Sequence, residues 1–123
     1  MTRFLWVFLG GGLGSILRYA LSLLPLGGRS LFPWRTLAAN LLGCFLIGLL
    51  AGALDRQNLG QANLRALLIS GFCGGFTTFS TFSAENERLI TGGHWALASC
   101  YSLLTLGLGL GLVYSGRYLS TQL

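Results

Sequence analysis

The chain has 123 residues, 53% of them hydrophobic and 9% charged, with a mean hydropathy of +0.68, whereas an ordinary soluble domain carries about 25% charge. This excludes a water-soluble globular domain and leaves one small unit, residues 1–123, with lipid as its main solvent. The net charge of +5 comes from eight arginines, without lysine, against three acids. The arginines stand apart near span ends and turns, so membrane headgroups account for them and nucleic acid is not indicated.

A helix needs about 20 residues to cross the hydrocarbon core, and the apolar pattern predicts four such spans in a multi-pass membrane protein. Span one covers roughly Phe4–Leu24. Its early Arg3 and apolar run resemble a signal peptide, but no clear small-residue cleavage site follows, which predicts a retained first helix. Pro25, Gly27 and Gly28 end it, and Arg18, about one turn from that end, is expected to snorkel outward. Span two covers Trp34–Leu54, with Asp55 and Arg56 marking its exit. Asn40 lies well inside it, and polar residues inside spans are functional candidates by default. Span three starts near Leu64 and runs to about Asn86. Span four covers Trp95–Tyr118 and carries Ser102 and Thr105 three apart, on one helical face. Gly10, Gly11, Gly12 and Gly14 in span one, Gly43, Gly48 and Gly52 in span two, and Gly107, Gly109 and Gly111 in span four permit close helix contact, within a chain or between two. Cys44, Cys73 and Cys100 form no CxxC pair and have no histidine cluster beside them, so neither metal binding nor a disulfide framework is indicated.

Span three contains "GFCGGFTTFSTFS" at 71–83. Gly74 and Gly75 weaken a helix, and Thr77 and Thr78 are β-branched. Five hydroxyl residues, Thr77, Thr78, Ser80, Thr81 and Ser83, are too many for a lipid-facing surface. The pattern predicts a helix broken within the membrane, tolerated only where protein buries it or an aqueous cavity meets it. Freed carbonyls there can bind a cation, and freed N–H groups can face an anion. Phe79 and Phe82 share a face of the second half-helix, and Glu85 extends that stripe.

Orientation follows from arginine counts. Four spans put Arg3, Arg56, Arg65 and Arg117 on one side, and Arg29, Arg35 and Arg88, with Arg18 if it snorkels, on the other. A positive-inside choice needs an imbalance, and this chain offers almost none. It is expected to insert both ways and to pair antiparallel, giving an inverted architecture without gene duplication. Four helices of this length do not easily enclose a hydrated path alone, which also points to a homodimer.

The three blocks "GGGLGSILRY" at 10–19, "TLAANLLGCFLIG" at 36–48 and "GFCGGFTTFSTFS" at 71–83 resemble, in order and spacing, the signature of the Fluc/CrcB fluoride channels. The resemblance covers nearly the whole chain. It implies an all-α integral membrane protein with four transmembrane helices, the third broken mid-membrane, in an antiparallel dual-topology homodimer. It also implies passive export of fluoride through the cell (inner) membrane, and a structural sodium ion at the dimer interface. Position by position, the backbone carbonyls of Gly74 and Thr77 would hold the sodium. Phe79 and Phe82 would be aromatic gates, and Asn40 the pore asparagine. Ser80 and Thr81 match polar positions near the ion path, and Glu85 matches a carboxylate toward its end. Tyr101, Ser102 and Thr105 would form part of a polar track. Gly109 stands where some relatives carry a further hydroxyl, so the far end of that track departs from the pattern.

The chemistry agrees. Fluoride is strongly hydrated, so its dehydration demands close donors, which Asn40 and the hydroxyls supply. Phenyl rings carry a positive edge. A fixed cation favours a nearby anion where the dielectric is low. Glu85 is the awkward element, because a carboxylate repels fluoride. Two other classes are weighed. A small dual-topology multidrug transporter would need a carboxylate deep in its first span, and span one has no Asp or Glu. A non-transporting membrane scaffold subunit would need neither the polar break nor the phenylalanine stripe. An enzyme is not expected, since His94 is the only histidine and no nucleophile–base constellation is evident.

Overall fold

The computed structural model describes residues 1–56 and 62–123. These form helices α1 (Thr2–Ser22), α2 (Trp34–Arg56), a composite α3, then α4 (Phe79–Thr91) and α5 (Trp95–Ser120). In α3 the segments Ala62–Arg65 and Gly74–Phe76 are α-helical and flank a π-helical stretch, Ala66–Cys73. Four helices, with α3 and α4 counted as one, are long and apolar enough to cross a membrane. The chain is thus all-helical and multi-pass. The observed spans differ from the expected bounds by up to five residues at their ends. Span one runs two residues earlier at each end, span two reaches Arg56, and spans three and four reach Thr91 and Ser120. The helices continue past the apolar stretch to last turns that hold Arg56, Arg88 and Arg117, where a cation favours the helix C-terminus.

Two helix pairs make most of the packing: α1 against α3, and α2 against α5. Glycine sets both seams. A Cβ at Gly10 would overlap the Leu67 carbonyl oxygen and stand 2.8 Å from Phe72 N, and one at Gly14 would overlap the Phe72 carbonyl. From the other side, a Cβ at Gly75 would overlap the Gly11 carbonyl. The α1–α3 seam is therefore backbone on backbone, with dispersion supplying the attraction that apolar burial cannot supply in lipid. On the α2–α5 seam Gly48 meets Val113 and Gly116 meets Phe45 in the same way. Gly12, by contrast, has open space around it.

At the Arg56 end, Asp55 accepts from both Arg65 and Arg117, the latter at 2.9 Å, and Arg56 donates to the Ser120 carbonyl at 2.7 Å. At the opposite end, Leu37, Leu89, Ala98 and Tyr101 form a small buried cluster with Phe32 and Phe82 against it. Only 11% of the most apolar window of α1 and 17% of that of α5 is buried. The remaining apolar surface faces outward, toward lipid or another chain.

Candidate functional site

Helical structure stops at Phe76 and resumes at Phe79. Thr77 has φ −86°, ψ 160° and Thr78 has φ −150°, ψ 116°, both extended. The sequence reading put the break over Gly74–Thr77, with Thr77 and Thr78 noted as β-branched. The Gly74 end of that range is helical, at φ −63°, ψ −39°, and the interruption falls on Thr77 and Thr78. The reason is the set of partners. Gly75 is pinned against Gly11, whereas the Thr78 peptide is taken by a side chain. Asn40, 8% exposed on α2, accepts from Thr78 N at 2.8 Å and donates to the Thr78 carbonyl at 3.2 Å. A side-chain amide thus replaces the helical partners that this peptide gives up, as buried backbone groups require.

The two ends of the break are also closed. Thr78 Oγ1 caps α4 by accepting from Thr81 N at 3.2 Å, and donates to Thr81 Oγ1 at 3.0 Å. At the end of α3, Thr77 N and Thr77 Oγ1 both donate to the Cys73 carbonyl, at 3.0 and 2.9 Å. The Gly75 carbonyl accepts from Arg18 Nε at 3.1 Å and from Ser15 Oγ at 3.4 Å. Arg18 therefore does not snorkel. Its guanidinium turns inward to a freed helix C-terminal carbonyl, where a cation is favoured. Nothing in the local sequence of α1 marks that carbonyl, which lies 57 residues away.

A groove of about 450 Å³ runs beside the break. It brings together Gly74, Thr77, Phe79, Phe82, Asn40 and Thr105 from the sequence-predicted set. Toward Gly109 its walls are Cys44, Ile47, Leu110 and Val113, so that end is apolar. The Phe79 and Phe82 rings lie 5.8 Å apart, tilted by 35°. Phe82 packs on Tyr101 at 5.0 Å, while Phe79 is 80% exposed.

The other predicted residues lie elsewhere. Glu85 is outside the groove lining. Its two oxygens accept from Thr36 Oγ1 at 2.7 Å and Tyr101 OH at 2.8 Å. The carboxylate that the sequence left awkward is thus held by hydroxyls of α2 and α5, and Tyr101 is fully buried. Ser102 and Thr105, expected on one face, separate in role. Ser102 donates to Asn86 Oδ1 at 3.1 Å, and Thr105 donates back to the Tyr101 carbonyl at 2.7 Å while lining the groove. Thr81 lines a smaller cavity, of about 120 Å³, with Arg18, Arg35, Thr36 and Thr78. Ser80 is exposed and lies 3.3 Å from Thr78 Oγ1. Sequence reasoning missed Thr36 and Asn86 as site residues, although Thr36 opens a quoted motif, and it named Thr78 for its branching and hydroxyl without giving it a role.

The profile of the CrcB-like protein, Camphor Resistance (CrcB) family matches residues 5–117. The chain belongs to the CrcB family. Curated relatives of this CrcB-family chain carry the name fluoride-specific ion channel FluC. That of Azobacteroides pseudotrichonymphae is 41% identical over 121 residues, covering 98% of this chain and 97% of the relative. That of Flavobacterium psychrophilum is 40% identical over 124 residues, covering both chains entirely. That of Leptospira interrogans serovar copenhageni is 45% identical over 117 residues, covering 94% of this chain and 91% of the relative. The family so named is one of ion channels, not enzymes.

Proposed function

We propose that this CrcB-family chain is a fluoride-selective channel that exports fluoride passively through the cell (inner) membrane, as an antiparallel dual-topology homodimer. One observation carries the reading: Asn40, Thr105 and the rings of Phe79 and Phe82 converge on a single groove beside an interrupted helix. The relatives' printed function supports it. In this reading the Asn40 amide, with one N–H left beyond its bond to Thr78, donates to the dehydrated ion. Ring edges of Phe79 and Phe82 follow it along a slot too narrow for larger halides. Exposed Phe79 meets a second subunit, which closes the groove into a path. Glu85, held by two hydroxyls, stays out of the slot.

The donor set at the break fits a structural sodium ion. The described residues hold no group of three His, Cys, Asp or Glu, so side-chain chelation is not on offer there. Gly74 and Thr77 carbonyls accept no hydrogen bond among the described residues, and carbonyl oxygens suit a hard cation. These two carbonyls, with those of a second subunit, would hold the ion. When bound it supplies fixed positive charge and is not transported.

The deciding experiment is fluoride efflux from liposomes containing purified protein. Rapid efflux without a proton gradient, and little chloride efflux, is expected. Absence of fluoride efflux from folded protein overturns the channel. Efflux that depends on a proton gradient would favour a transporter, though α1 carries no Asp or Glu.

A further inference from the structure

Arginines at helix ends are treated differently at the two faces of the molecule. At one face Asp55 consumes Arg65 and Arg117. At the other, Arg35 in the first turn of α2 and Arg88 in the last turn of α4 have no carboxylate within 4.0 Å among the described residues. Both line one cleft of about 510 Å³ between the α1–α2 connection and the α4–α5 turn, together with Ser30, Phe32, Glu85 and His94. Glu85 is the only acid in that lining, and its oxygens are already engaged by Thr36 and Tyr101. Two guanidinium groups against one satisfied carboxylate leave the cleft net positive.

Arg35 has a second property. It also lines the smaller cavity beside the break, with Arg18, Thr36, Thr78 and Thr81. Arg35 is therefore common to the open cleft and to the hydroxyl-rich cavity behind it. We infer that the cleft between Arg35 and Arg88 is a capture basin for small inorganic anions. In it Arg35 hands an anion from the open side toward the inner hydroxyls. Guanidinium is weakly hydrated and presents several donors in one plane, so it can share an anion between two sides without releasing it to bulk water. Low-dielectric walls around like charges focus the field and raise the local concentration of counter-ions. The basin acts on arrival, not on the selective step. The inference rests on the channel reading.

The test is fluoride efflux from zwitterionic liposomes at two ionic strengths, ~0.01 M and ~1 M, where the screening length falls from about 30 Å to about 3 Å. Wild type is compared with R35Q, R88Q, R35K and R29Q, each shown to reconstitute in the wild-type oligomeric state. Arg29 shares this face but lines neither cavity. At low ionic strength R35Q and R88Q should lose about tenfold in rate, the lower end of the range for electrostatic steering. R35K, which keeps the charge but not the planar donors, should fall between R35Q and wild type, R29Q should equal wild type, and the differences should shrink at high ionic strength. R35Q and R88Q that track R29Q at low ionic strength overturn the basin while leaving the channel standing. If R35Q fails to reconstitute, R88Q decides: a wild-type rate at low ionic strength overturns the basin. No fluoride efflux from wild type overturns the channel and the basin together.

Discussion

Asn40 and the two phenylalanines are the residues on which the groove depends, and they depend on different physics. Asn40 donates and accepts at one peptide. Asn40→Ala leaves Thr78 N–H and C=O without that partner, at a cost of about 1–3 kcal/mol for the buried groups. A lower melting temperature and a large loss of fluoride efflux are expected together, read by thermal denaturation in detergent and by liposome assay. Unchanged stability would show that the Thr78 peptide has another partner. Phe79→Ile and Phe82→Ile separate packing from pathway. Phe82 touches Tyr101, whereas Phe79 is 80% exposed in one chain. F82I should therefore cost more stability, about 1–2 kcal/mol as a shape change. If ring edges carry the ion, both variants should lose flux by orders of magnitude, since about 1.4 kcal/mol on a barrier is tenfold. Folded variants with wild-type efflux at both positions would refute the aromatic path. Asn40 was legible in sequence as a polar residue inside an apolar span. Its partner was not, because a backbone group leaves no mark in the sequence. Arg18 was misread for the same reason: its depth in α1 suggested an outward reach, and the Gly75 carbonyl that draws it inward belongs to another helix.

Among the elements, the α1–α3 seam sets the position of the break. Gly10 and Gly14 hold α1 against the backbone of α3, and Gly75 answers from the other side. Gly10→Ala or Gly14→Ala must push the two helices apart, since backbone atoms cannot swing aside as a flexible side chain can. Overpacking of this kind costs about 1–3 kcal/mol. Gly12→Ala, with open space, should be neutral or slightly stabilising, because Ala favours a helix over Gly. The yield of folded protein after size-exclusion chromatography checks the contrast. Equal yields for G10A and G12A would mean that the seam is looser than described. The close-contact role of the α1 glycines was legible from composition. The site of interruption was legible in part: Thr77 and Thr78, named for β-branching, are extended, whereas Gly74 and Gly75, which propensity also singles out, stay helical, and the break follows the Asn40 amide. The π-helical stretch was not legible at all. "ALLISGFC" reads as an ordinary apolar helix, and its wider hydrogen bonding is visible only in the backbone.

For the whole molecule, the four crossings, their order and their glycine seams followed from hydropathy, because lipid leaves few alternatives to a helix. Dual insertion is argued from the arginines, which count four against three, or four with Arg18, on the two sides. A single cysteine introduced near either terminus of a cysteine-free variant should react with impermeant reagent from both sides of the membrane. Reaction from one side only, in every molecule, would sink dual topology.

The ion pairs of Asp55 bring time into this balance. The Asp55–Arg65 pair joins the end of α2 to the start of α3, but the Asp55–Arg117 pair cannot exist until the last helix has been made and packed. Orientation is chosen earlier, as each helix leaves the ribosome, when all the arginines are still bare and acidic residues count for little. The charge map that steers insertion is thus a nascent one, and the finished molecule later erases part of it. If the chain inserts both ways, a D55N variant should divide between the two orientations in the wild-type ratio. It should differ only afterwards, in how long the completed bundle holds together, and scanning by pulse labelling during synthesis would see the two stages apart.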